Sequence, residues 1–125
     1  MTLQLPKLDA PVLTADATSA ESVITVRFNG TADLEAKPAL DRYVEALHGE
    51  AARLQVSKVV IDFRELEFMN SSAFKVFVTW LAQVQALSED QQYRIHFVSN
   101  TSMHWQRRSL AALSCFAVNL VTIET

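Results

Sequence analysis

Apolar residues recur along the first half of the chain with two different periods, and each period predicts an element. Over 23–28 they alternate with polar positions, which predicts a strand with one buried face. Over about 34–53 they recur every three or four residues, which predicts an amphipathic helix. Asp33 is its predicted N-cap, and Pro38 fits because it falls in the first turn.

The second half repeats this alternation. Val59–Ile61 is a short continuous apolar run, which predicts a central strand covered on both faces. The pattern then predicts further helices at about 72–87 and 104–113, and strands at 95–97 and 118–123. The residues predicted to be buried are apolar positions of these elements: Leu40, Leu47, Val60, Ile61, Phe77, Leu81, Ile95 and Phe97.

Alternating strands and helices predict an α/β fold with a mixed, mostly parallel sheet of four or five strands and three or more helices. We expect a single domain over residues 11–125. Residues 1–10, which Pro6 and Pro11 bring to an end, are interpreted as a tail or an edge strand. In such sheets, binding sites gather where a strand ends and the next helix begins.

Charge and composition exclude several classes of function. The net charge is -3, so we expect no general attraction to nucleic acid or anionic membranes. No apolar run is long enough to span a bilayer, and the N-terminus lacks the pattern of a secretory signal, so we expect no membrane insertion. Cys115 is the single cysteine, which favours a reducing, cytoplasmic location.

The sequence offers little to suggest catalysis. The three histidines lack metal-ligand spacing, and the two glycines are too few for a phosphate-binding or dinucleotide loop, so we expect neither metal nor cofactor. Cys115 lies among apolar residues, which predicts a buried, inert thiol. A small enzyme is therefore the most remote of the functions considered.

One turn stands out. The strand at Val59–Ile61 leads through Phe68, Met69 and Asn70 to two adjacent serines, Ser71 and Ser72, where a helix is predicted to start. Free backbone N–H groups at a helix start favour negative charge, so a phosphoryl group on a serine there would find donors. The simpler interpretation is that one of these serines is only a helix cap.

This turn resembles the signature of STAS domains, the family of anti-sigma factor antagonists. The family pattern is an apolar strand ending in Asp, then Leu, then Phe-Met-Asp-Ser-Ser-Gly before an apolar helix. Here it stands as Val60-Ile61-Asp62, Leu66 and Phe68-Met69-Asn70-Ser71-Ser72-Ala73. Gly30-Thr31-Ala32-Asp33 resembles the family's Gly-x-Leu-Asp turn, and the similarity extends over nearly the whole chain.

The resemblance implies a binding module switched by phosphorylation of Ser71. The partners it implies are a serine/threonine kinase that also acts as an anti-sigma factor, and a phosphatase that resets the switch. Two residues depart from the pattern, since Asn70 replaces Asp and Ala73 replaces Gly. The run from Asn70 to Lys75 looks closer to a subgroup of biofilm regulators that bind a diguanylate cyclase.

In this interpretation Ser72 caps the helix, while Asn70 and Lys75 shape recognition. The helix after the turn is apolar around an arc of about 200°, wider than a core needs. Either a large sheet covers that whole arc, or one margin, Trp80 or Phe74, belongs to a partner interface. The alternative function is a STAS subunit of a larger transport or stress-sensing complex that is never phosphorylated.

Overall fold

The computed structural model describes residues 3–8 and 10–125. Within these residues the chain forms five strands and three helices. In chain order they are β1 (Leu13–Ala20), β2 (Val23–Ala32), α1 (Lys37–Leu54), β3 (Lys58–Met69), α2 (Ser71–Gln85), β4 (Arg94–Val98), α3 (His104–Phe116) and β5 (Val121–Glu124). The predicted α/β fold with a mixed, mostly parallel sheet is confirmed.

The strands stand in the sheet in the same order as in the sequence. β1 is antiparallel to β2, whereas β2, β3, β4 and β5 are parallel to one another. The carboxyl ends of the four parallel strands therefore meet at one edge of the sheet. β3, which leads to the serine pair, lies at the centre.

The helices cover one face of the sheet and leave the other open. α1 and α3 both pack against α2, and α3 also packs against β5. Along β3, Val59, Ile61 and Phe63 are fully buried under the helices, while Val60 faces the open side and is only half-buried. The prediction of a strand covered on both faces is therefore wrong, and with it the full burial of Val60. The other residues predicted to be buried are buried.

β1 is the element that the sequence pattern missed. Its helix-facing positions are Leu13, Ala15, Ala17 and Ser19, and small residues give a weak hydrophobic signal. It joins β2 through a two-residue hairpin loop, Glu21–Ser22, whose φ angles are 51° and 67°. Two positive φ angles in succession match the twist of a hairpin, although glycine and asparagine are its usual residues.

The start of α1 differs from the prediction. Asp33 does bond a backbone N–H three residues ahead, that of Ala36, at 3.0 Å. This bond closes a turn, and the helix itself begins after it, with Ala36 as N-cap and Pro38 in the first turn. The predicted position of Pro38 is confirmed.

β3 is twelve residues long and carries two bulges where the prediction placed a three-residue strand. Arg27 pairs with Asp62 but Asn29 pairs with Glu65, so β3 contains one extra residue there. A second extra residue, Glu67, lies between the partners of Gly30 and Thr31. Because each bulge reverses the alternation of side chains, two bulges restore it.

The N-terminal segment forms no strand over residues 3–8. Leu8 is buried in the core, and the backbone N–H of Gln4 donates to Glu50 Oε1 at 2.6 Å. Of the two interpretations of this segment, a tail or an edge strand, no edge strand is observed over these residues, and residues 1, 2 and 9 lie outside the described residues.

Cys115 is exposed, so the prediction of a buried thiol is wrong. α3 buries Leu110 and Leu113 on its inner face, with Ala117 just beyond its end. Cys115 lies two residues after Leu113, about 200° further around the helix, and points away from the sheet. The apolar neighbourhood in the sequence did not distinguish the two sides of this helix.

Candidate functional site

The turn between β3 and α2 is fixed by Asn70. Its backbone N–H donates to the carbonyl oxygen of Ala32 at 3.0 Å, which ties the ends of β2 and β3 together. Its side-chain Oδ1 accepts from the backbone N–H of Ala73 at 2.9 Å, so Asn70 is the N-cap of α2. The amide performs the capping that an aspartate would perform, without its negative charge.

The two serines occupy the first two positions of α2. The prediction that Ser72 caps the helix is wrong, because Asn70 already fills that position. Ser71 is exposed and Ser72 is half-buried. Neither hydroxyl has a hydrogen-bond partner among the described residues. The Ser71 hydroxyl is therefore accessible to a modifying enzyme without loss of a hydrogen bond.

Ala73 lies inside regular helix and is fully buried. Its methyl group packs in the core, and its backbone does not have the positive φ angle that would call for glycine. The turn therefore accommodates alanine at this position without strain.

Phe74 and Lys75, the next two residues of α2, differ in burial. Phe74 is half-buried and packs against the core, whereas Lys75 is exposed. Lys75 forms no ion pair within the described part of the chain, and the first turn of α2 has no acidic residue. The first turn of α2 is therefore electrostatically favourable to an anion.

Trp80 belongs to the core. Its side chain is 1% exposed, so the prediction that Trp80 forms part of a partner interface is wrong. The indole Nε1–H donates to the hydroxyl oxygen of Tyr93 at 2.8 Å. The wide apolar arc of α2 is thus explained by α1 and α3 packing on either side of it above the sheet.

A chain of hydrogen bonds extends from Trp80 to α1. The Tyr93 hydroxyl accepts from Trp80 and lies 2.6 Å from Nδ1 of His48. A neutral His48 with its proton on Nε2 accepts the Tyr93 O–H at Nδ1, an arrangement that satisfies both groups. Burial lowers the pKa of His48, in agreement with that assignment.

Asp62, the acidic residue of the signature, lies on the open face and not at the serines. Arg64 binds its carboxylate through the backbone N–H, Nε and Nη2, and Arg27 approaches to 3.8 Å. Burial raises the pKa of this carboxyl, but the hydrogen bonds and charge of Arg64 together with the charge of Arg27 outweigh it and lower the pKa. This ion pair fixes the first bulge of β3.

Gln106, in the first turn of α3, was missed in the sequence. Its side chain is fully buried and donates to the carbonyl oxygens of Phe63 and Leu66 at 2.6 and 2.9 Å, while its Oε1 accepts from the N–H of Asn100 at 2.8 Å. It thereby connects the bulged part of β3 to the segment that follows β4. A polar residue at a position that helical periodicity predicts to be buried was the available signal.

A cavity of about 470 Å³ opens beside this contact, at the carboxyl end of β3 and β4. Its lining includes Arg64, Glu65, Glu67 and Asn100 but neither serine. Among the described residues, no cluster of three or more metal-ligating side chains exists. No helix in the described part of the chain is long and apolar enough to cross a bilayer.

Comparison with known proteins agrees with this geometry. The profile of the STAS domain family matches residues 14–89, more than half of the chain. No curated protein sequence matches the chain.

Two solved structures share its architecture. The crystal structure of an anti-sigma factor antagonist from Mycobacterium paratuberculosis is 19% identical, with a TM-score of 0.65, and the match covers 94% of this chain and 90% of that one. The anti-sigma factor antagonist SpoIIAA in its unphosphorylated form is 14% identical, with a TM-score of 0.55, and the match covers 90% and 89% of the two chains. At these identities the likeness concerns the fold.

Proposed function

The chain belongs to the STAS domain family, and from that premise we propose that it is a protein-binding regulator switched by phosphorylation of Ser71. The structural likeness to anti-sigma factor antagonists supports a regulatory, protein-binding role and not catalysis. The observation that carries the proposal is the placement of Ser71. Its hydroxyl is exposed and unbonded at the first position of a helix that Asn70 already caps.

The geometry favours a switch that acts on binding and not on folding. A phosphoryl group adds about -1.5 to -2 charges at neutral pH. At the start of α2 it would meet free N–H groups and Lys75, so the domain tolerates it. A partner surface pressed against the same turn would have to bury a hydrated anion, which is costly.

The partners proposed are those of the family. A serine/threonine kinase that doubles as an anti-sigma factor would phosphorylate Ser71, and a phosphatase would reset it. Because the run from Asn70 to Lys75 resembles that of biofilm regulators, a diguanylate cyclase is a further candidate. Each of these proposed partners would bind the protein in the cytoplasm.

The test combines phosphosite mapping of the protein from its own host with titration against the partner that co-purifies with it. Ser71→Ala is expected to bind the partner and to be resistant to switching. Ser71→Asp is expected to bind more weakly with a nearly unchanged melting temperature, because aspartate imitates part of the phosphoryl charge.

The second candidate function is a STAS subunit of a larger complex that is never phosphorylated. Asn70 favours it, because the family pattern has an aspartate there and a kinase that recognises the aspartate would meet an amide. If Ser71→Asp binds like the wild type and native Ser71 carries no phosphate, the fixed-subunit function replaces the switch.

A further inference from the structure

The two edge strands of the sheet differ in what lies beside them. The N-terminal segment lies next to β1, since Leu3 and Leu5 pack on the core and line one cavity together with Ala15 and Ala17. In the described part of the chain, no strand pairs with the outer edge of β5. β5 therefore ends the sheet with backbone groups that are available to another strand.

The pairing of β5 with β4 shows which of these groups are free. The carbonyl oxygens of Leu120 and Glu124 accept from the N–H groups of Ile95 and Ser99 at 2.9 Å, so these even-numbered residues direct their backbone groups at β4. Along a strand these directions alternate, so the N–H and C=O of Ile123 point outward. Neither has a partner among the described residues.

The helix layer does not extend over the whole of β5. Ile123 faces the same side of the sheet as its register partner Phe97, which is fully buried, yet Ile123 is 38% exposed. Val121, two residues earlier, is only 5% exposed, so α3 covers the start of β5 and not its end. An aliphatic side chain on the helix side is thus left open at the edge of the sheet.

A cavity of about 330 Å³ lies at this uncovered place, between α3 and β5. Its apolar lining consists of Leu110, Ala111 and Ile123, and polar residues of the segment after β4 complete it. Ligand pockets begin at about 300 Å³, so the cavity has room for a side chain and not for a large ligand. Because Ile123 both lines the cavity and carries the free backbone groups, a strand added to β5 would place a side chain in it.

Arg107 is the one charged side chain in the lining of this cavity. It is exposed and forms no ion pair or hydrogen bond among the described residues. Over 95–123 the sequence contains no Asp or Glu, although the whole chain has a net charge of -3. The cavity therefore has positive charge beside it that its own chain segment does not neutralise.

The carboxylates at the ends of β3 and β5 do not neutralise Arg107 either. Glu65 and Glu67 line the cavity of about 470 Å³, whose lining does not include Arg107. Glu124 lies on the open face, where its Oε1 is 3.0 Å from Nε2 of His96. The cavity and its free arginine thus match a partner that brings an aliphatic group and a carboxylate together.

We propose that β5 and this cavity bind an extended segment of a protein partner as an additional strand. The N–H and C=O of Ile123 pair with its backbone, an aliphatic side chain enters the cavity, and an acidic side chain binds Arg107. Alternate residues of a strand share a face, so the aliphatic and acidic residues of the partner lie two positions apart. The lining contains neither serine of the α2 turn, so the inference is independent of phosphorylation at Ser71.

The test titrates the full chain with a seven-residue peptide, Thr-Glu-Thr-Val-Thr-Glu-Thr, whose ends are blocked. The central valine has a glutamate two positions away on either side, so both strand directions are probed. One reference peptide has lysines in place of the glutamates. The other has the acidic sequence with N-methyl groups on its three central backbone nitrogens, which removes donors for strand pairing.

Binding is followed by NMR through the backbone amide shifts and through hydrogen exchange of the Ile123 N–H. With the acidic peptide we expect saturable shifts at Arg107, Val121 and Ile123, and slower exchange at Ile123 as its N–H gains an acceptor. Both reference peptides should bind about fivefold more weakly or less, because each lacks an ion pair or strand hydrogen bonds.

Two pairs of neighbouring, exposed positions on α3 assign the contacts. Ala111→Leu fills the cavity and should weaken binding about tenfold or more, because the valine loses its place of burial. Ala112→Leu, outside the lining, is its matched control and should bind like the wild type. Arg107→Gln should weaken binding about two- to fivefold. Arg108→Gln removes the same charge outside the lining and should have a smaller effect.

Equal binding of the acidic and basic peptides, undiminished binding of the N-methylated peptide, or no saturable shift up to about 5 mM peptide overturns the proposal. Equal affinities of Ala111→Leu and Ala112→Leu also overturn it. Protection of the Ile123 N–H that grows with protein concentration in the absence of peptide would assign this edge to a second copy of the chain instead. Ser71→Asp should bind the acidic peptide like the wild type, so the proposed switch and this surface succeed or fail separately.

Discussion

The two faces of the sheet differ in what they contribute. The helix-covered face is a continuous aromatic and aliphatic layer, in which Phe63 contacts both Phe77 and Phe97 with ring centroids about 5.5 Å apart. The open face has mixed polar residues, with the ion pairs of Asp62 near its centre and the exposed side chains of Val12 and Phe68 at its carboxyl edge. Stability is therefore concentrated on one face, while the surface available for recognition lies on the other face and along that edge.

This separation lets the turn before α2 change without loss of the fold. Ser71, Lys75 and Phe68 are exposed or half-exposed, so their substitution removes few core contacts. Ala73 and Val76, in the same turn and the next, are buried and hold α2 on the sheet. The predictions below test whether the two roles are as separate as the burial indicates.

The largest effect is expected for Trp80 on the covered face. Trp80→Ala removes a fully buried indole and its hydrogen bond to Tyr93, so the free energy of unfolding should fall by about 3–5 kcal/mol in a denaturant titration. Val60→Ala on the open face should cost less than about 1.5 kcal/mol, because it removes two half-buried methyl groups. Similar losses for the two variants would contradict the one-sided core.

A loss of similar size is expected at Gln106, which holds the bulged part of β3. Gln106→Met fills a similar space but leaves the carbonyl oxygens of Phe63 and Leu66 without their donor. Each unsatisfied buried group costs about 1–3 kcal/mol, so the variant should unfold at clearly lower denaturant concentration. Gln106→Glu is the matched variant, since it keeps the acceptor for Asn100 and loses the donor. Wild-type stability in both variants would remove Gln106 from the support of β3.

The cap of α2 gives a paired prediction within a single turn. Asn70→Ala should lower the free energy of unfolding by about 0.5–2 kcal/mol, because the N–H of Ala73 loses its acceptor. Ser72→Ala should change it by less than about 0.5 kcal/mol, as at a position without partners. The reverse order would restore Ser72 as the cap. Thermal unfolding of the two variants side by side is sufficient.

The smallest expected effect is the loss of stability at acidic pH that is caused by His48. Burial lowers the pKa of His48 below its ordinary 6.5, so the folded protein binds this proton less readily than the unfolded chain. The contribution of neutral His48 to the free energy of unfolding is therefore fully present above the ordinary pKa of 6.5. It is lost as the pH falls from there through the lowered pKa of the folded protein.

His48→Gln keeps an acceptor for Tyr93 without a titrating group and should flatten this part of the stability profile between about pH 7.5 and about pH 5.5. His104→Gln, at the exposed start of α3, is the comparison variant. A profile that is unchanged in His48→Gln would contradict the neutral assignment of His48.

Periodicity predicted the helices, the parallel strands and most of the core, because those elements bury large side chains at regular intervals. It failed for β1, whose inward positions are mostly alanines and a serine, and for the two-sided burial of β3. A short apolar run has the same pattern whether one or both faces are covered. Only the placement of all three helices on one side decides between them.

The candidate site was predicted as a segment but not in its details. The strand-to-helix turn and the position of Ser71 followed from the sequence. The cap did not, because Asn70, Ser71 and Ser72 are all good capping residues and the exact start of α2 depends on the second bulge of β3. Trp80 was ambiguous for a similar reason, since an apolar arc does not reveal how many neighbouring helices cover it.

The two bulges of β3 also set the orientation of the turn that carries Ser71, the proposed phosphorylation site. Inward residues fall on odd numbers before the first bulge, on Leu66 between the bulges, and on odd numbers again at Met69. Loss of one residue between them would turn Phe68 toward the helices and Met69 toward the open face, and Ser71 would no longer start α2 in its present orientation. Only insertions or deletions of an even number of residues in this strand therefore keep the Ser71 hydroxyl group in its position.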